Sequence, residues 1–591
     1  MLKLGSHAGS SDGEFPEHSL TSEDTGSVAA LNTALAWMEI CSIGHSSCNI
    51  ADQLHPLPTR ILDVFPEFLS TDYSTYQLSN CQEKFTEAGS IPSSANSLDV
   101  RLRSNINENA RYVCLSHCWG NKQPIRLLKS NKDKMEKRIS WAELPLTFQE
   151  AIQFTRSLKV RYIWIDSLCI IQDDKEDWLR ESVSMHLIFR HSYLTIGATK
   201  SSNPEQGLFS KAPFRSQAYR IPTNHSSISD IYIRKELSHR LGDPEEGDPI
   251  PPLLKRAWVY QERLLSSRFL HFTEDELVWE CNSGTACECH PQIDQYPWWS
   301  TALAPTETFL KVTHFGNDVF SHVSHDSGWP HISNWPQVFI WHRIVSEYSL
   351  LQLTFPEDRL PALAGIIAPI SLRTGLDHVQ GLWLESLLVD LLWFVDPDAR
   401  HPARRHTKPS WSWTSIMAPV LYDFTHENLK LVPDATVVHP KTNPNRSTDP
   451  SAPFRSGTTV LVISGKLLPC KIEQDSKHNW AYHLKLDADI TLQNEFCSDE
   501  VLDLETSSEY YALLLVRNSY TDVASGDYEP PSFFDSTPYV QNFGLVLAAE
   551  QLDQLSFRRI GYFSHRVNCV HDAREARDGF YYVDPSMVRL L

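Results

Sequence analysis

Three residues near the amino end have the types and spacing of a metal site. Cys41, His45 and Cys48 read C-x3-H-x2-C, and residues four apart share one face of a helix. Thiolate and imidazole together suit zinc, which needs a fourth ligand to close a tetrahedron. Cys81 and the run Cys287-Glu288-Cys289-His290 are the candidates for that place. Reduced, packed cysteines are the competing reading and the one preferred, so no metal ligand is assigned. A second chemistry is nucleophilic, with Cys118 activated by His117. Neighbours on an extended strand point to opposite faces, which works against that pair. The third chemistry belongs to Ser116 and Asp166, each placed where a short apolar run stops.

Those two residues need a scaffold that brings them together. Tyr112-Val113-Cys114-Leu115-Ser116 suits a buried strand, and Gly120 permits the sharp turn after it. A helix follows from about Pro145 to Leu158, with Phe148, Ile152 and Thr155 on one face. Residues 160–165 read as a second buried strand ending at Asp166. Next comes a helix over about 174–190, with Trp178, Ser182, Met185 and Phe189 on a common face, and then a strand from Ser192 to Ala198. Strand, helix, strand, helix, strand predicts an α/β fold, an open doubly wound parallel sheet flanked by helices. Such sheets bind ligands beyond the carboxyl ends of their strands, where Ser116 and Asp166 fall.

The rest of the chain surrounds this unit. Residues 1–26 read as a mobile tail. Residues 27–110 lead into the sheet with a helix over 27–41, carrying Leu31, Leu35 and Met38, and a short strand within 57–64. The domain itself is expected over 111–282, with a polar insertion at 236–252. A helical, aromatic-rich extension covers 300–425, and a β-rich region, starting with a strand at 458–463, covers 456–591.

Composition excludes some classes of function. The formal net charge of −20 argues against general nucleic-acid binding, which needs a basic face. The most apolar run, GLWLESLLVDLLWFV at 381–395, is interrupted by Glu385 and Asp390 and is too short to span a membrane; it reads as an amphipathic or buried helix. No export signal is evident, and 12 cysteines in 591 residues are too sparse for a disulfide framework. Reduced thiols and a cytoplasmic location are the expectation. A GxxxxGK[ST] phosphate loop is absent.

The blocks in order carry a resemblance. They are LPTRILDV at 57–64, YVCLSHCWG at 112–120, LPLTFQEAI at 144–152 and RYIWIDSLCIIQDDKEDW at 161–178. KRAWVYQERLLSSRFLHF at 255–272 and VWEC at 278–281 follow, then LTFPEDRLPALAGI at 353–366 and PSWSWTS at 409–415. The chain resembles fungal heterokaryon-incompatibility (HET) domain proteins over most of its length. That resemblance implies a role in vegetative incompatibility, a form of innate immunity in which non-self recognition leads to programmed cell death. It implies a partner protein of unknown identity and self-association through the HET domain.

HET domains are in turn similar, at a distance, to Toll/interleukin-receptor-type (TIR) domains. Some of these cleave NAD with a glutamate set shortly after a tryptophan on a helix. Trp258-Val259-Tyr260-Gln261-Glu262 looks like that arrangement, so the resemblance implies Glu262 as the catalytic residue. Ser116, Trp119, Asp166 and Trp258 are then the candidate contacts to NAD, which would be a substrate, with no cofactor required. The competing reading of Glu262 is a surface residue paired with Arg256 or Arg263. That of Asp166 is a turn cap, and that of Trp119, Trp164 and Trp178 is core packing.

Overall fold

A computed structural model gives the architecture. It describes residues 2–6, 20–65, 99–121, 125–221, 231–235, 237, 250–294, 336–397, 409–422, 431–440, 460–475, 482–486, 494–500, 502, 504, 509–520, 539–550, 556–568, 580 and 583–591. The chain divides into two compact units, Met1–Gly316 and Asn317–Leu591.

Among the described residues, the first unit is built on a nine-stranded sheet. Its strands in chain order are β1 (Arg60–Asp63), β2 (Arg101–Ser104), β3 (Tyr112–Ser116), β4 (Tyr162–Ile165), β5 (Leu194–Gly197), β6 (Arg268–Phe272), β7 (Leu277–Cys281), β8 (Gly284–Cys287) and β9 (His290–Asp294). They lie in the order β9-β8-β7-β6-β5-β3-β4-β1-β2. The middle four are parallel: β4 to β3, β3 to β5 and β5 to β6. Every residue of these four strands is buried, as expected for parallel strands covered on both faces. The order β4-β3-β5-β6 is doubly wound: from β3 the chain first moves to one side and then crosses to the other. The switch point lies between β3 and β5, at their carboxyl ends.

The sheet is mixed, not wholly parallel. β1 and β2 join antiparallel at one edge, and β7, β8 and β9 join antiparallel at the other. The links from β6 to β9 are tight turns, which permit only antiparallel neighbours; a parallel return needs a crossover of a dozen or more residues.

Among the described residues of this unit, the four longest α-helices are these. α1 (Val28–Gly44) is capped by Ser27 Oγ, which accepts the Ala30 N–H at 3.1 Å. Leu31 and Met38 are buried as their spacing predicts, but Leu35 faces out, 39% exposed. α2 (Leu146–Ser157) starts after Pro145 and buries Phe148, Ile152 and Thr155. α3 (Lys175–Arg190) is capped by the Asp174 carboxylate, which accepts the Glu176 and Asp177 N–H groups. Its inward face differs from the predicted one: Asp177, Glu181, Met185, Ile188 and Phe189 are buried, while Trp178 and Ser182 are half-buried. Arg60 of β1 explains the two buried acids, with Nη2 at 2.5 Å from Asp177 and 3.3 Å from Glu181. Charged residues go inside only when paired, and the partner lies more than a hundred positions away. α4 (Ala257–Leu265) is buried over most of its length.

Leu2–Ser6, inside the expected tail, pairs antiparallel with Ile231–Lys235. The insertion at 236–252 lies mostly outside the described residues, as does Cys81.

Among the described residues, the second unit holds helices Pro336–Ser349 and Ala364–Thr374 and a ten-stranded, mainly antiparallel sheet. Its longest strands are Tyr510–Tyr520, Tyr539–Ala549 and Ser556–Asn568, hydrogen-bonded side by side. The segment 381–395 is not one helix. Strand Leu382–Trp383, a single turn Leu387–Asp390 and strand Trp393–Val395 replace it. Asp390 is fully buried; its carboxylate accepts the Trp383 N–H at 2.7 Å and the Ser386 hydroxyl at 3.0 Å, and meets His342 Nε2 at 2.9 Å. A carboxylate that recruits backbone N–H in this way competes with a continuous helix. Among the described residues no helix is long and apolar enough to cross a membrane.

Candidate functional site

β3 and β4 end side by side, in register through Leu115 and Ile165. Their next residues, Ser116 and Asp166, therefore project at the carboxyl edge of the sheet. α4 brings Glu262 to the same edge. Ser116 Oγ donates a hydrogen bond to Glu262 Oε2 at 2.5 Å across 146 residues of sequence.

Glu262 is 5% exposed. Burial pushes its carboxyl up from 4.5 to about 7, and the negative charge of Asp166 adds to the rise. The Ser116 hydrogen bond and the Arg256 cation oppose it. A carboxyl that titrates near neutrality can both hold and release a proton in one reaction cycle.

Asp166 opens the short turn Asp166–Cys169 and is half-buried. Its Oδ1 accepts the Ser167 N–H at 2.6 Å, so the turn-capping role is met. Its Oδ2 accepts the Trp119 indole N–H at 2.8 Å, which fixes that half-buried ring at the edge of the cluster.

His117 lies beneath them, 2% exposed and edge-on to Phe148 with ring centroids 4.8 Å apart. Neither ring nitrogen makes a hydrogen bond of normal geometry. Its polar neighbours are Asp166 Oδ1, 3.6 Å from Nδ1, and the Leu115 backbone. Burial pushes the imidazole down to about 4, with Arg256 adding and Asp166 opposing. It is neutral at physiological pH. Arg256 donates from Nη1 to the His117 carbonyl, which ties the start of α4 to the end of β3.

Ser116, Asp166, Trp119 and Glu262 thus come together. Trp258, one helical turn before Glu262, stands edge-on to Trp178 at 6.2 Å between centroids. Glu262 is buried, not on the surface, and of the two arginines expected beside it Arg256 acts on it. Arg263 turns to Glu280, with Nε donating at 2.8 Å. Trp164 is core, while Trp119 and Trp178 are half-buried. Cys118 packs with Leu253, Leu254, Val259 and Phe269, and burial pushes its thiol up, which suits a packed thiol better than a nucleophile. His117 reads in the sequence as an activator of Cys118, but in the fold its ring lies against Phe148 beside Asp166; Arg256 reads as a partner of Glu262 and also holds the His117 carbonyl.

Gly120 has φ +70°, and a Cβ there would stand 2.5 Å from Asn203 Cβ. Gly120→Ala is therefore expected to cost about 1–3 kcal/mol through strain and overpacking, read as a lower urea midpoint for the full chain.

The described cysteines are free thiols. Two groups of metal-binding types also stand out: Cys41, His45, Cys48 and Cys281, and Glu276, Cys287 and Cys289.

The class of protein defined here is a mixed α/β domain with a doubly wound centre and a buried acid–hydroxyl cluster at its switch point. Residues 112–262 match the family model of the heterokaryon incompatibility protein, HET. That match runs from the first residue of β3 to Glu262, so this segment is similar to HET domains. No curated protein and no solved structure matches the chain.

Proposed function

We propose that the chain acts in heterokaryon incompatibility, in fungal non-self recognition and the cell death that follows, and that its HET domain cleaves NAD in the manner of TIR domains. The HET match supports the role. One observation carries the chemistry: a buried glutamate titrating near 7, hydrogen-bonded to Ser116 at the switch point of a doubly wound sheet.

Cleavage breaks the C1′–N bond between ribose and nicotinamide. The bonding pair leaves with the ring nitrogen and neutralises its positive charge, so the leaving group needs no proton. Oxocarbenium-like charge grows on the ribose, and the Glu262 carboxylate stabilises it. Water then adds to C1′ and gives up a proton, for which Glu262 is the acceptor at neutral pH. The balance is NAD plus water to nicotinamide, ADP-ribose and a proton. Trp119, held by Asp166, offers a flat face to an aromatic ring.

A second reading is a signalling module without catalysis that binds a partner or itself. The 5% exposure of Glu262 favours it, since a carboxyl so covered also serves as a packing partner of Ser116.

The two readings separate in one experiment. The full chain and Glu262→Gln are expressed in a fungal host, and NAD level and cell death are followed together. Expected are NAD loss and death with the unsubstituted chain, and a fall in NAD turnover of about a hundredfold or more with Glu262→Gln. Death at constant NAD would remove the enzymatic reading and leave the signalling one. Normal NAD turnover by Glu262→Gln would remove the residue assignment.

A further inference from the structure

We propose that Cys41, His45, Cys48 and Cys281 hold a structural zinc ion that ties α1 to the sheet. One ligand atom from each lies within 4.8 Å of all the others. Cys41 is in the last turn of α1, and His45 caps that helix, its N–H donating to the Cys41 carbonyl at 3.2 Å. Cys48 follows in the short 3-10 helix Ser46–Asp52. Cys281 comes from far along the chain, at the end of β7.

The donor set decides the metal. Three thiols and an imidazole, with no carboxylate among them, are soft and nitrogen ligands in the number that closes a tetrahedral zinc site. With Zn–S near 2.3 Å and Zn–N near 2.0–2.1 Å, tetrahedral sulfur and nitrogen ligands lie roughly 3.6 Å apart. Cys281 Sγ and His45 Nδ1 are 3.4 Å apart. A disulfide accounts for the group less well, because it would use two of the three thiols and strand the third beside them.

The surroundings are those of a held site. Arg268, fully buried, donates from Nε to Cys41 Sγ at 3.3 Å. Its Nη1 and Nη2 donate to the two oxygens of Asp52 at 3.0 and 2.5 Å, and Nη2 also donates to Ser42 Oγ at 3.0 Å. A cation donating to sulfur stabilises thiolate, the form a metal binds. Two more bonds clip the ligand-bearing segments together: Asn282 Nδ2 to the Ser47 carbonyl at 2.8 Å, and Ser47 Oγ with Ser283 Oγ at 2.7 Å. The sheet edge is thereby prepared for the loop that carries His45 and Cys48. The other cluster is weaker: it has three members, and Glu276 already accepts the Cys289 N–H at 2.9 Å.

The test is metal content. The full chain, expressed with zinc in the medium and purified under reducing conditions, is analysed by mass spectrometry for metals. About one zinc per chain is expected. Cys281→Ser is expected to lower it about tenfold or more, Cys281→His to retain it, and Cys114→Ser, at a buried thiol outside the group, to leave it unchanged. Cobalt(II) in place of zinc is expected to show the intense ligand-field bands of tetrahedral thiolate coordination. That spectrum of the unsubstituted chain decides the matter even if Cys281→Ser fails to fold. A zinc-free chain without those bands, zinc unchanged in Cys281→Ser, or a disulfide between two of the three cysteines would each overturn the proposal.

Discussion

Between about pH 4 and pH 9 the stability of the chain carrying Glu262→Gln, relative to the unsubstituted chain, is expected to rise by about 3 kcal/mol. Burial and the charge of Asp166 move the Glu262 carboxyl from 4.5 in an exposed setting to about 7 in the fold. The folded state therefore holds this proton more tightly than the unfolded state. Its contribution is fully present below the unfolded value and is lost as pH rises through the folded one. Glutamine has nearly the same shape, offers an oxygen to Ser116 and does not ionise. Any cost of placing its amide group is the same at every pH, so the pH-dependent part isolates the carboxyl. Other titrating groups are shared by the two chains and cancel to first order. The measurement is denaturant unfolding of both chains across pH. A difference that stays flat, or that favours the unsubstituted chain as pH rises, would show that Glu262 is not held in the protonated state.

Arg559→Leu is expected to destabilise the second unit by about 3–5 kcal/mol, the cost of leaving a buried charge without its partner. Arg559 and Asp499 are both fully buried. The guanidinium meets the carboxylate with two donors, Nε at 2.9 Å and Nη2 at 3.2 Å. Its Nη1 donates to the Leu391 carbonyl at 2.6 Å, and Nη2 also donates to the Trp393 carbonyl. The same plane lies over the Trp393 ring, 3.4 Å from its centroid. One side chain thus joins the strand Ser556–Asn568 to the segment after the turn Leu387–Asp390, and leucine replaces none of those bonds. The double variant Arg559→Leu, Asp499→Leu is expected to recover part of the loss, because it removes the stranded carboxylate. Thermal and urea unfolding of the single and double variants check it. A single variant within about 1 kcal/mol of the unsubstituted chain would sink the argument.

Much of the first unit is legible in short stretches. YVCLS, YIWI and LTIG are apolar runs of strand length, and the structure makes each of them a buried parallel strand. The helix after Pro145 and the one capped by Asp174 follow from local signals that act within one turn. Errors arise where a distant partner decides. The inward face of α3 carries Asp177 and Glu181 because Arg60 waits for them. The segment 381–395 breaks because Asp390 captures the Trp383 N–H and His342. Leu35 reads as core by spacing but lies where α1 turns outward.

The sequence by itself determined the resemblance of residues 112–262 to HET domains, the central strands and helices, and the position of Ser116 and Asp166 at strand ends. Those features rest on local spacing and on side-chain types a few residues apart. Only the tertiary structure decided that Glu262 is buried against Ser116, that Arg263 belongs to Glu280, and that Cys281 completes the group begun by Cys41. Pairing across the chain and loss of solvent set these outcomes. A carboxyl at about 7 is a property of what surrounds it, and no run of neighbouring residues contains that information.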